Sequence, residues 1–117
     1  MNKTLLCIIV MIFQFQFGFS QLNMSLLGHL PYSGKGDNND IWGYVDEFGN
    51  EYALVGLEAG VSVVDVTNPS SPNEVFWADG VYSIWRDIKT WNDKAYVTTE
   101  GGSGLMIIDL SPLPGNT

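Results

Sequence analysis

Apolar residues along this chain fall in short β-branched runs separated by polar turns, a spacing too brief for helices and suited to strands. Taken in order, the runs predict strands near 41–46, 51–57, 61–66, 74–79, 84–90, 94–99 and 104–110. Gly49-Asn50 and Asn92-Asp93 lie between apolar runs and read as hairpin turns. Asn68-Pro69-Ser70-Ser71-Pro72-Asn73 contains two prolines, which lack the N–H that a central strand needs. It is therefore read as the connection between the third and fourth strands.

The pattern repeats. Ala53-Leu54-Val55-Gly56-Leu57-Glu58 is echoed by Ala95-Tyr96-Val97-Thr98-Thr99-Glu100, and Gly60-Val61-Ser62-Val63-Val64-Asp65-Val66-Thr67 by Gly104-Leu105-Met106-Ile107-Ile108-Asp109-Leu110-Ser111. Ile41-Trp42-Gly43-Tyr44 is paired in the same reading with Ile84-Trp85-Arg86-Asp87. A unit of about 43 residues with four antiparallel strands has the size of one β-propeller blade. The fold expected is all-β, with four-stranded antiparallel blades of a propeller, about one and three-quarter of them present. Repeat 1 covers about 41–83 and repeat 2 about 84–117. A propeller closes with about four to eight blades, so further blades of a longer chain are expected. A self-contained sandwich and an oligomeric ring are the alternatives on the same strand count.

The first twenty residues have a different character. Lys3 opens a short polar start, Leu5 to Phe13 is almost wholly apolar, and Gly18-Phe19-Ser20 places small residues before Gln21. This is the pattern of a secretory signal peptide, residues 1–20, cut after Ser20. Gln14 and Gln16 interrupt the apolar stretch, which falls short of the roughly 20 residues that span a bilayer. No transmembrane segment is expected after cleavage, and residues 21–40 form a lead-in segment to the repeats. Cys7 leaves with the signal peptide, so the mature chain would reach an oxidising compartment without a disulfide. Removing Lys3 leaves four Lys or Arg against thirteen Asp or Glu. That acidity disfavours nucleic acid and anionic membranes as partners.

The pentads Val61-Ser62-Val63-Val64-Asp65 and Leu105-Met106-Ile107-Ile108-Asp109 resemble the LVIVD repeat. With Leu26-Leu27-Gly28-His29-Leu30, Asn39-Asp40-Ile41-Trp42-Gly43-Tyr44, Glu51-Tyr52-Ala53-Leu54-Val55-Gly56 and Ser83-Ile84-Trp85-Arg86-Asp87-Ile88-Lys89, the chain is similar to the opening of the choice-of-anchor B domain. That resemblance implies a secreted or cell-surface propeller-like domain and carries over no catalytic motif.

Candidate chemistry is sparse. Asp65 and Asp109 end equivalent apolar runs, and a recurring carboxylate points to a recurring structural task, acceptance of N–H groups from the following turn. Asp37, Asn39 and Asp40 gather oxygen ligands of the kind that calcium takes, without EF-hand spacing. No other cofactor is indicated. Arg86 and Asp87 open the innermost strand of the second blade, where they would line the channel rim or lock neighbouring blades. Trp42 and Trp85 are read as packing residues of one repeat position, and Trp77 and Trp91 as candidates for a glycan platform. With one histidine, His29, and no mature cysteine, nucleophilic and zinc catalysis find little support. The leading expectation is a binding or interaction module for an extracellular ligand or protein, without its own catalysis. The alternative is the N-terminal part of a propeller hydrolase acting on an extracellular polymer, its acids supplied by further blades.

Overall fold

The computed structural model describes residues 24–102 and 104–115. The signal peptide, its cleavage point and Cys7 lie outside the described residues. Among the described residues seven strands follow one another: β1 (Asn38–Val45), β2 (Glu51–Leu57), β3 (Gly60–Asp65), β4 (Asn73–Asp79), β5 (Arg86–Trp91), β6 (Lys94–Thr99) and β7 (Met106–Asp109). They form two antiparallel meanders, a four-stranded sheet β1-β2-β3-β4 and a three-stranded sheet β5-β6-β7. The all-β class and the incomplete-blade pattern expected from the repeat are therefore present.

Local chemistry sets the turns. Asn92 and Asp93 both adopt positive φ, 49° and 55°, as the two centres of a tight hairpin turn require. At the β1–β2 turn, Asp46 Oδ1 accepts the N–H groups of Phe48 and Asn50, each at 2.9 Å, and Gly49 supplies a φ of 85°. Gly60 opens β3 against β4 so closely that a Cβ would stand 2.1 Å from the Ala78 carbonyl oxygen.

The main core lies between the sheets. Tyr52, Leu54, Val61 and Val63 of the first sheet meet Ile88, Ala95, Val97, Ile108 and Leu110 of the second. Complete burial of an aliphatic side chain such as Val63 or Ile88 contributes roughly 1.5–3 kcal/mol. On its other face the first sheet is covered by the lead-in segment, whose Leu30 and Tyr32 pack on Val55, Leu57 and Val64. Lys35 fastens this strap: its Nζ lies 2.6 Å from both carboxylate oxygens of Glu74 and 4.1 Å from the centre of the Trp77 ring.

Strand register confirms two blocks of the internal echo and corrects the third. Ala53 faces Val64 across β2–β3 as Ala95 faces Ile108 across β6–β7, so Asp65 and Asp109 occupy equivalent places. In the inner strands, Ile41 pairs with Val55 and Ile88 with Val97. The counterpart of Asp40-Ile41-Trp42 is consequently Asp87-Ile88-Lys89, and Trp85 precedes β5 instead of matching Trp42. The reason is loop length. Five residues, 46–50, link β1 to β2, but two, Asn92 and Asp93, link β5 to β6. The shift falls in a turn and leaves the outer strands in phase. Asn38–Asp40, expected in the lead-in segment, already belong to β1.

Candidate functional site at the inner strands

The two sheets meet along their inner strands, β1 and β2 against β5. Alternate residues of β1 point to one side, and three of them reach the second sheet in succession. Asp40 Oδ2 accepts the Ile88 N–H at 2.7 Å, Trp42 Nε1 donates to Thr90 Oγ1 at 3.0 Å, and the Tyr44 hydroxyl donates to Asp93 Oδ1 at 2.9 Å. Asn39 adds a bond from Nδ2 to the Ser83 carbonyl at 3.2 Å. Gly56 leaves room for that side chain, since a Cβ there would meet Asn39 Oδ1 at 2.7 Å.

Arg86 is the central clamp. Its side chain is buried, and it donates from Nε to the Leu57 carbonyl at 2.7 Å and from Nη2 to the carbonyls of Glu58 and Val81. Burial pulls its pKa below the usual arginine value. All three acceptors belong to the β2–β3 turn region and the link between the sheets. The guanidinium thus joins the sheets. Asp87 is exposed and pairs with Lys89, whose Nζ also lies 4.3 Å from the centre of the Trp42 ring.

Protonation at the seam follows from the same contacts. Burial and the Asp93 carboxylate push the Tyr44 hydroxyl up to about 12. Burial and Asp46 do the same to Tyr52, also to about 12. For Asp46 itself burial pushes upward, but hydrogen bonds from Asn50, Phe48 and Tyr52 prevail and hold it below the usual aspartate value.

The other singled-out residues lie apart. Asp65 Oδ1 accepts the Thr67 N–H at 2.9 Å, and Asp109 Oδ1 accepts the Ser111 N–H at 3.1 Å. The Asp109 contact, with the Ser111 side chain first, lowers its pKa. Trp77, on β4, donates from Nε1 to Asp79 Oδ1 at 2.6 Å while Lys35 stands over its ring, so it is part of the strap. Trp91 is exposed at the tip of β5, and His29 is exposed in the lead-in segment. Of the calcium candidates, Asn39 and Asp40 face the seam through the bonds given above, whereas the Asp37 N–H donates to Glu58 Oε2 at 3.3 Å. Sequence reasoning missed the Tyr44–Asp93 bond, the Asp46 turn and the Lys35–Glu74 pair. The Asp46 turn alone had a local signal, an Asp followed by Phe48, Gly49 and Asn50.

At the inner rim of the second sheet, Trp85, Arg86, Asp87, Thr98, Thr99 and Glu100 line an open groove of about 320 Å³. The face continuing outward from that rim carries Leu105 and Ile107, both exposed. Strand register gives Ile107 the counterpart Val63 in the first sheet, and the sequence echo pairs Leu105 with Val61; both valines are fully buried.

A family comparison matches residues 36–79 to the LVIVD repeat. The match spans the first sheet, and that part of the chain is similar to the LVIVD repeat. Searches of curated proteins and of solved structures found no match.

Proposed function

We propose that the chain is a secreted or cell-surface interaction module of the choice-of-anchor B type, delivered by the leader at residues 1–20, whose binding surface is the open face and inner rim of the second sheet. The observation that carries this reading is the contrast at one repeat position: Val63 is 0% exposed beneath the second sheet, and Ile107 is 55% exposed. An exposed apolar face of this kind marks an interaction surface. Trp85 and Asp87 at the rim add an aromatic plate and a carboxylate for orienting a partner. The LVIVD match over the first sheet supports a repeat-built, extracellular architecture.

The test has two parts. N-terminal sequencing of the exported protein should begin at Gln21. The mature chain, immobilised and probed with itself and with envelope proteins and polysaccharides of its own cells, should bind through this face. Ile107→Glu should abolish that binding, and binding indifferent to Ile107→Glu would refute the assignment of the surface.

A further inference from the structure

The lead-in segment lies on the outer face of the first sheet as a bound peptide would. Burial alternates along it, with Gly28, Leu30 and Tyr32 turned in and His29 and Pro31 exposed, the pattern of an extended segment laid on a surface. Among the described residues it belongs to neither sheet. Its apolar contacts, Leu30 and Tyr32 on Val55, Leu57 and Val64, are separate from the core between the sheets.

The surface beneath it is shaped to receive it from end to end. At one end Gly28 lies so close to the β3–β4 connection that a Cβ would stand 2.4 Å from the Pro69 carbonyl oxygen. At the other, a Cβ on Gly36 would stand 2.4 Å from Glu58 Oε2, and Gly34 and Gly36 turn the chain there with φ of 76° and 81°. The N–H groups of Glu58 and Ala59 then donate to the carbonyls of Asp37 and Lys35, each at 3.1 Å. Between these ends the fully buried Ser62 donates to Glu74 Oε2 at 2.6 Å and so aims the carboxylate. That carboxylate takes the Lys35 ammonium, which also lies 4.1 Å from the centre of the Trp77 ring. An apolar, an aromatic and a cationic side chain, Leu30, Tyr32 and Lys35, are each met by a matching surface.

What the segment covers gives it a task. Strand register makes Val55 and Val64 the counterparts of Val97 and Ile108, on which the second sheet receives the first. One extended segment therefore occupies, on the first sheet, the place that a whole sheet occupies on the second. We infer that residues 28–37 are a detachable cap, a peptide ligand carried by the chain itself. While docked, the cap keeps other apolar surfaces off Val55, Leu57 and Val64. The groove recognises the extended pattern Leu-x-Tyr-x-x-Lys, and it binds the same segment in trans once the chain's own copy is dislodged. This inference is independent of the reading of the second sheet's open face, since it concerns the other sheet.

The test uses the full mature chain and a fluorescently labelled synthetic peptide of residues 24–37. Leu30→Asp combined with Tyr32→Ser dislodges the cap by its apolar contacts, and Lys35→Glu dislodges it separately by setting two carboxylates against each other. Both variants should still melt cooperatively, because the core between the sheets is untouched, and should bind anilinonaphthalene sulfonate several-fold more than wild type. Anisotropy should show the peptide binding each variant and displacing the dye. Wild type should take up little peptide, since its own segment competes at an effective concentration of about millimolar. Lys35→Met in the peptide should weaken binding by about tenfold, and by nothing further when the receiving chain carries Glu74→Gln. The inference is overturned if neither variant binds the peptide, or if a scrambled peptide binds as well. It is also overturned if both variants lose the cooperative melt, because the segment is then inseparable from the fold.

Discussion

Replacing Arg86 tests the seam most directly. Its guanidinium is held by three carbonyl oxygens, those of Leu57, Glu58 and Val81, in a side chain only 6% exposed. Hydrogen bonds from a charged donor contribute about 1.5–3 kcal/mol each, and a buried acceptor left bare costs a similar amount. The three are unequal. The Glu58 carbonyl also accepts the Ser83 N–H at 3.0 Å and would keep that partner, whereas Val81 and Leu57 lose their contact with the cation. Against this, deletion relieves the desolvation of a buried charge. The net expectation for Arg86→Ala is a loss of about 3–4 kcal/mol, a large share of the roughly 5–10 kcal/mol total of a domain this size. Urea unfolding should show it as a midpoint lowered by about 2–3 M at a slope near 1.4 kcal/mol per M. Arg86→Met separates the causes, because it keeps much of the alkyl stem and removes every donor. If the carbonyl clamp carries the energy, Met is nearly as damaging as Ala, and Arg86→Lys, with charge but no fork, falls between them and wild type. A methionine variant as stable as wild type would refute the clamp and leave packing as the role of Arg86.

Further outcomes follow from individual contacts. Asp65→Ala removes the acceptor of the Thr67 N–H and should lower stability by about 1 kcal/mol in urea melts; unchanged melts would remove Asp65 from the turn. Gly60→Ala would drive a Cβ into the Ala78 carbonyl at 2.1 Å, so the β3–β4 ladder must part, with an expected loss above about 3 kcal/mol by chemical denaturation. In acid, Glu74 matters: burial raises its pKa, but Lys35 and Ser62 prevail and hold it low. A lowered folded pKa gives stability that is present above the unfolded value and lost as pH falls through the folded one, so Glu74→Gln should flatten the acid limb of a melting-temperature profile. In alkali the sign reverses for Tyr44 and Tyr52, both raised from 10 to about 12. Their contribution is complete below pH 10 and disappears as pH climbs through about 12, and Tyr52→Phe should remove one late-titrating group from an ultraviolet tyrosinate titration.

The outer strands were legible in the sequence because apolar alternation and turn residues are local properties. Val61 to Asp65 and Ile107 to Asp109 are short β-branched runs ended by a carboxylate, and that order of residues fixes strand, turn and repeat together. The Asn92-Asp93 hairpin was legible for the same reason, since its positive φ angles are tolerated by those two side chains. The inner strands were not. Matching Trp42 with Trp85 follows letter similarity, but pairing depends on the length of the connection: seven residues separate the paired Tyr44 and Tyr52, two separate their counterparts Trp91 and Lys94, and that five-residue difference sets Asp87-Ile88-Lys89 onto Asp40-Ile41-Trp42.

By itself, then, the sequence determined an all-β chain of repeated hairpins with no cysteine beyond Cys7 and a strongly acidic balance. Tertiary structure decided which residues meet. Arg86 lies twenty-eight and twenty-nine positions from two of its acceptors, and Tyr44 lies forty-nine from Asp93. Such separations leave no periodicity in the chain, because the side chains converge only after two sheets have packed face to face. The same packing made Val63 interior and left its counterpart Ile107 exposed.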